Sequence, residues 1–245
     1  MLVMLDVPIV LGFLGLTHGV YCKTLGIMSE IDLLEKYPKT RRNLNERAEA
    51  KTEEDRRIGR EFDRDYFDGD RRHGYGGYTY QARFWQPVVP AFQKQYGLTA
   101  QSSILDVGSG KGFMLHDFME LIPGITVAGI DISEYGVVHT LPDVKPYVQV
   151  ANAKKLPFAD NTFDVVISIN TIHNLPLEEC KQALREIMRV TKSDAFVTVD
   201  AYRTAEEKQR MDMWNLTALT YMSVREWETL FKEVGYTGDY YWFTP

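Results

Sequence analysis

The sequence predicts an α/β fold: a doubly wound, mostly parallel sheet with an N-terminal helical and loop extension. Ser103, Ile104 and Leu105 make a short apolar run, and a glycine turn follows from Asp106 to Gly112. Phe113, Met114, Leu115, Phe118, Met119 and Leu121 then recur at helical spacing. Further short apolar runs ending in polar or acidic residues alternate with amphipathic stretches, the pattern of βαβ units. At 245 residues the chain has room for one such domain with additions.

A strand, a tight glycine turn and a helix form the first half of a nucleotide-binding unit, where small residues admit a ligand close to the backbone and the helix N-terminus favours anions. A dinucleotide fingerprint needs G-x-G-x-x-G, but here the third glycine, Gly112, comes one residue early and Phe113 stands where that fingerprint wants glycine. Ile125 to Ile130 reads as a second strand ending in Asp131, 23 positions after Gly108, where a carboxylate can accept from both hydroxyls of a ribose. Tyr147 to Val150 reads as a third strand leading to Asn152-Ala153, and Phe163 to Ile169 as a fourth ending at Asn170. Leu177 to Val190 has helical apolar spacing, Ala195 to Val199 reads as a fifth strand, Glu206 to Met213 and Val224 to Val234 as helices, and Tyr240 to Phe243 as a sixth strand.

The segments ILDVGSGKGF, GIDIS, NAKKLPF and FDVVISIN, in that order over residues 104 to 170, resemble the motifs of the class I S-adenosylmethionine (SAM) methyltransferases. The resemblance implies SAM as cofactor. It implies that Gly108, Ser109, Gly110 and Gly112 shape the turn beneath the methionine portion and that Asp106 reaches its ammonium through water. Asp131 would hold the ribose, Ile132 the adenine face, and Asn152 and Ala153 the adenine edge. Many relatives have Asp at the position of Asn152, whose amide oxygen can still accept a hydrogen bond. Asn170 would lie near the transferring methyl. The Pro-Pro-aromatic motif of adenine and glutamine N-methyltransferases is absent, because Asn170 is followed by Thr171-Ile172-His173. Relatives close the sheet with an antiparallel hairpin, and little chain remains here for a seventh strand.

Methyl transfer from a sulfonium is largely a matter of aligning the acceptor, and a base is needed only for a hydroxyl or a protonated amine. His173 is the candidate base, with His73 and Asp200 next. No metal is expected, since Asn170 and Asp200 make only a thin carboxylate set. Upstream, Tyr66 to Tyr80 contains four glycines and five aromatic residues, a composition that disfavours helix and suits a loop closing over a ligand. Tyr75, Tyr78 and Tyr80 could face a sulfonium or an acceptor, and Arg71, Arg72 or Arg83 could pair with a carboxylate. Many small-molecule members of the resembled family carry a lid in this place. The alternative is an aromatic segment packed beneath an N-terminal helix. Residues 44 to 65 alternate charge and read as a solvated helix.

Three segments result: residues 1–27, an apolar extension; residues 28–98, a helical region with the Gly/Tyr-rich lid; and residues 99–245, the SAM-binding domain. Val7 to Cys22 is apolar over 16 residues, short for a membrane span of roughly 20, so an upstream extension is expected and a membrane anchor is the alternative. Net charge −6 gives no general attraction to nucleic acid or anionic membrane. Two cysteines, Cys22 and Cys180, suggest neither metal site nor disulfide framework, and a cytoplasmic setting follows. The expected activity is methyl transfer to oxygen or nitrogen of a small molecule. The alternatives are a SAM-binding module without transfer, or a protein or RNA acceptor.

Overall fold

Runs of β-branched and apolar residues too short for a helix, each closed by glycine or a polar residue, give the strands their bounds. A computed structural model describes residues 28–39 and 51–245; the apolar extension, Cys22 and residues 44–50 of the charged stretch lie outside them. The strands are β1 (Ser103–Val107), β2 (Thr126–Asp131), β3 (Val148–Val150), β4 (Phe163–Ile169), β5 (Thr191–Tyr202), β6 (Met222–Ser223) and β7 (Asp239–Phe243). They form one sheet of order β3-β2-β1-β4-β5, with β6 and β7 both on the outer edge of β5, and every pairing is parallel.

Residues alternate between the two faces with period two. Leu105, Val107 and Val166 join one buried cluster with Leu184, Trp227 and Phe231. Ile104, Val165 and Ile167 join the other with Phe92, Leu115 and Phe118. Both faces are covered, as a parallel sheet requires. The covering helices include α4 (Val89–Tyr96), α5 (Phe113–Leu121), α7 (Leu177–Val190) and α9 (Val224–Val234). Helix α9 starts at a capping box, Ser223 with Glu226, and stops at Gly235 with φ 73°. Shorter helices are α1 (Glu53–Gly59), α2 (Arg64–Asp68), α3 (Ala82–Trp85), α6 (Glu134–Val138) and α8 (Ala205–Trp214).

The sheet edge corrects the expectation that little chain remains for a seventh strand: seven strands form, without an antiparallel hairpin. β5 runs on to Tyr202, well past the predicted Val199, which leaves room for two partners end to end. β7 pairs with Phe196 to Asp200 and β6 with Ala201 and Tyr202. The N-terminal residues then cover β7: Tyr240 donates to the Ser29 carbonyl at 3.0 Å and accepts from Ile31 N–H at 2.9 Å. An exposed strand edge is blunted in this way.

Candidate functional site

At the carboxyl ends of β1, β2, β3 and β4 the chain encloses a cavity of ≈ 260 Å³. Gly108, Gly110, Asp131, Ile132, Asn152, Ala153 and Asn170, all expected at a cofactor site, line it together. Opposite them stand Tyr75 and Tyr78 of the lid, with Phe67, Tyr66, Phe62 and Arg60. Thr171, Asn174 and Leu175 complete the wall beyond β4.

The glycine turn needs its glycines. Gly108 has φ 94°, and a Cβ there would collide with the Thr171 side chain. Gly110 has φ 54° and its amide donates to Asp131 Oδ2 at 2.7 Å, while Ser133 N–H reaches Oδ1 at 2.8 Å. Each carboxylate oxygen of Asp131 thus holds one backbone donor and keeps lone pairs for another. Burial raises the pKa of Asp131. Asp106, on the same face as Ile104, is buried behind the turn; burial first, and then the Asp131 carboxylate, push its carboxyl up to about 7. Asn170 closes β4 with φ 52°, an uncommon conformation for a non-glycine residue. Its Oδ1 accepts from Thr198 Oγ1 at 2.9 Å, and its N–H donates back to that hydroxyl at 2.8 Å. Asn152 Oδ1 accepts from Lys154 N–H at 3.0 Å, so its amide also shapes the turn it occupies.

The lid is docked. Asp68 accepts from Lys111 Nζ at 2.6 Å, Tyr135 Oη at 2.7 Å and Tyr78 N–H at 2.8 Å. Lys111 also donates to the Tyr78 carbonyl at 2.9 Å. Desolvation alone would raise the Asp68 pKa, but the Lys111, Tyr135 and Tyr78 donors hold it down at about 2. Tyr78 stacks on Phe113 at 4.7 Å and on Tyr75 at 4.2 Å. Lys111, the lysine inside the glycine turn, therefore ties the lid to the turn. Neither Lys111 nor Asp68 was singled out from the sequence, since 43 residues separate them.

Several expected positions lie off the cavity wall. Ser109 is buried, its N–H donating to the Ile130 carbonyl at 3.0 Å. Gly112, φ 73°, is the N-cap of α5 against Thr140. Tyr80 donates to Asp117 Oδ1 at 2.6 Å and anchors the lid's end to α5. Arg72 is exposed and paired with Asp70 at 3.2 Å, Arg71 donates to the Tyr75 carbonyl, and Arg83 sits over the Phe84 ring at 4.9 Å. The guanidinium on the cavity is instead that of Arg60, indistinguishable in sequence from its charged neighbours.

His173 corrects the expectation of a base at the acceptor. The residue is 4% exposed and absent from the cavity wall. Nδ1 accepts from Asp200 N–H at 3.3 Å, and Nε2 lies 3.7 Å from Asp200 Oδ1. Burial lowers its pKa, against the pull of Asp200. Its carbonyl accepts from Leu219 and Thr220 N–H at 3.1 and 2.9 Å. The residue joins β4, β5 and the 219–220 backbone and lies off the cavity wall. His73, the second candidate, pairs with Asp55 at 3.1 Å, away from the cavity. No cluster of His, Cys, Asp or Glu suited to a metal occurs among the described residues.

A glycine turn over an acidic strand end, with acidic and amide groups at the next strand ends, defines a class I SAM-binding α/β domain. Known proteins agree: residues 105–199 match the family described as a methyltransferase domain. The chain carries a methyltransferase domain of the class I, SAM-dependent type. It is 33% identical over 142 residues to the tRNA (carboxymethyluridine(34)-5-O)-methyltransferase of Arabidopsis thaliana, covering 58% of this chain and 33% of that protein. It is 35% identical over 105 residues to the ubiquinone/menaquinone biosynthesis C-methyltransferase UbiE of Hahella chejuensis, covering 39% of this chain and 41% of that one. The YcgJ protein of Bacillus subtilis shares the fold at TM-score 0.50 and 21% identity, over 60% of this chain and 66% of that one. The chain spans between 33% and 60% of the length of the first curated relatives it matches.

Among the described residues no helix is long and apolar enough to cross a membrane.

Proposed function

We propose that this chain transfers a methyl group from SAM to oxygen or nitrogen of a small-molecule acceptor, in a cytoplasmic setting. The observation that carries the reading is the single cavity on which Gly108, Gly110, Asp131, Asn152, Ala153 and Asn170 converge beneath Tyr75 and Tyr78. The residues fit the cofactor. The Asp131 oxygens suit ribose hydroxyls; Ile132, 52% exposed on the cavity wall, offers an apolar face to a purine; and the Asp106 carboxyl, buried behind the turn and off that wall, would ionise beside an ammonium held through water. SAM supplies a methyl group on a sulfonium, an excellent leaving group.

The protein's share is then binding, orientation and exclusion of water. Asn170, fixed by Thr198, and Thr171 form the wall on the acceptor side. Tyr75 and Tyr78 present ring faces and exclude solvent, with the Asp68–Lys111 latch holding them down. His173 acts on this wall through Asp200 and the 219–220 backbone, as a positioning residue. With His173 withdrawn, the reading favours an acceptor that needs no strong base from this histidine.

The tRNA-modifying relative supports a second reading, an RNA acceptor; net charge −6 weighs against it. Calorimetry with SAM and S-adenosylhomocysteine, followed by a labelled-methyl assay on small-molecule and RNA fractions, tests both. Asp131→Ala is expected to weaken S-adenosylhomocysteine binding by about 1.5–3 kcal/mol, the worth of a charged hydrogen bond. Unchanged affinity would remove Asp131 from the ribose site. Tight binding without labelling in any fraction would leave a SAM-binding module.

A further inference from the structure

We infer that the methyl acceptor carries a carboxylate and that the Arg60 guanidinium receives it; this rests on the transferase reading above. Arg60 lines two cavities at once, the one beneath the lid and a neighbouring, more open one of ≈ 340 Å³ between α1 and the 212–221 segment. Its Nε is buried without a hydrogen-bond partner, and no carboxylate pairs with it among the described residues. A guanidinium offers five donors in a planar fork that matches a carboxylate, and a buried donor left unmade is costly. A ligand that completes the fork removes that cost.

The surroundings narrow the ligand. Arg56, the other cation on the second cavity, is taken by Glu53 at 3.2 Å and by the Asn215 carbonyl. Asp212 is taken by Lys208 at 2.9 Å and Tyr221 at 3.0 Å. Arg60 is therefore the cation left for a ligand among the described lining residues. With Glu53 paired to Arg56 and Asp212 to Lys208, one positive charge is left, which a monoanion balances. The second cavity contains no residue of the glycine turn or of the β1 to β4 ends, so Arg60 also reaches space that the cofactor residues do not line, and S-adenosylhomocysteine affinity separates an acceptor carboxylate from the cofactor's own. Phe62 has φ 51°, held by its N–H to the Gly59 carbonyl at 3.3 Å, and this turn keeps Arg60 and Phe62 on the wall of the lid cavity. An acceptor would thus lie with its anionic end at Arg60 and its body along Phe62.

The test compares the wild type with Arg60→Gln and Arg60→Lys in S-adenosylhomocysteine calorimetry and in labelled-methyl transfer. A small-molecule extract of the source cells is first split at neutral pH on an anion-exchange resin into retained and flow-through pools. The wild type is expected to label the retained pool. Arg60→Gln should lose at least about tenfold of that labelling, as for one charged hydrogen bond, with S-adenosylhomocysteine affinity unchanged, and Arg60→Lys should recover part of it. Label confined to the flow-through, or undiminished in Arg60→Gln, overturns the inference and leaves the transferase reading standing. A matching fall in S-adenosylhomocysteine affinity assigns Arg60 to the cofactor's carboxylate and also overturns it. Cofactor binding with no label in either pool removes the transferase reading itself, and the inference with it.

Discussion

The latch between lid and glycine turn allows a prediction with a worked magnitude. Lys111 bridges the Asp68 carboxylate at 2.6 Å and the Tyr78 carbonyl at 2.9 Å, and its side chain is 7% exposed. Lys111→Met keeps the length and the apolar stem but removes both bonds. A hydrogen bond to a charged group contributes about 1.5–3 kcal/mol. Asp68 retains the Tyr135 hydroxyl and the Tyr78 N–H, so a loss near the middle, about 2 kcal/mol, is expected for lid docking. That corresponds to roughly a 30-fold larger open fraction. The readout is hydrogen exchange at Tyr75 N–H, bonded to the Tyr66 carbonyl, and Gly77 N–H, bonded to the Phe67 carbonyl. Their protection should fall by about that factor while the amides of β4 keep theirs. S-adenosylhomocysteine affinity should fall by less, because binding is weakened only through the fraction of lid that is open. A carboxyl with a depressed pKa contributes stability that is full above its unfolded value of about 3.9 and lost as pH falls through the folded one. For Asp68, held at about 2, the latch is therefore intact at neutral pH and loosens only in strong acid. Unchanged protection at Tyr75 and Gly77 in Lys111→Met would refute the latch and credit the lid to the stacking of Tyr78 on Phe113 alone.

Asp106 predicts the pH dependence of the cofactor site. Its carboxyl, pushed up to about 7 by burial and by Asp131, binds a proton more tightly folded than unfolded, so the ligand-free protein loses stability as pH rises from about 4 to about 7. An ammonium beside it favours the ionised form, so S-adenosylhomocysteine affinity should rise as pH climbs through 7, and Asp106→Asn should flatten that rise in calorimetry; a flat wild-type profile would separate Asp106 from the ligand. Gly108→Ala should destabilise the domain by roughly 2–5 kcal/mol, combining backbone strain at φ 94° with the clash against Thr171. In denaturant titration the added Thr171→Ala should return the clash and not the strain, and a single variant as stable as the wild type would show that the turn can relax.

What local chemistry determines was legible in the sequence. β4 runs from Phe163 to Ile169, α7 from Leu177 to Val190, α9 from Val224 to Val234 and α5 from Phe113 to Leu121, each with the bounds that periodicity predicts. The same holds for the strand ends Asp131 and Asn170, because the fold places strand ends at the site and residue type then suggests the role. Contacts between distant segments were not legible. The Asp68–Lys111–Tyr135 latch joins three segments, and nothing local distinguishes Lys111 from any surface lysine. His173 sits where a base was expected by position, but Asp200 N–H takes its Nδ1 and closes the ring into the core. β6 is two residues long and exists only because β5 overruns its predicted end. Composition identifies a loop without saying which of its rings face inward: Tyr75 and Tyr78 line the cavity, while Tyr80 bonds Asp117 and Arg72 pairs with Asp70.

The site has two halves of different origin, and this bears on what the relatives can say. The half that would hold the cofactor is built from strand ends between Asp106 and Asn170, inside the 105–199 span that matches the methyltransferase family. The half facing it comes from Arg60, Phe62, Tyr66, Tyr75 and Tyr78, and from the 212–221 segment around the second cavity, all outside that span. Relatives named for tRNA modification and for quinone biosynthesis both match this chain. Under the proposed reading, acceptor choice rests on contacts outside the 105–199 span. The rigid supports of the wall are the latch, the left-handed Phe62 and the His173–Asp200 contact, with Lys111 and His173 reaching it from inside the 105–199 span. Changing the acceptor of such a site should need substitutions at Arg60, Phe62 and the 215–221 wall, with the glycine turn left intact.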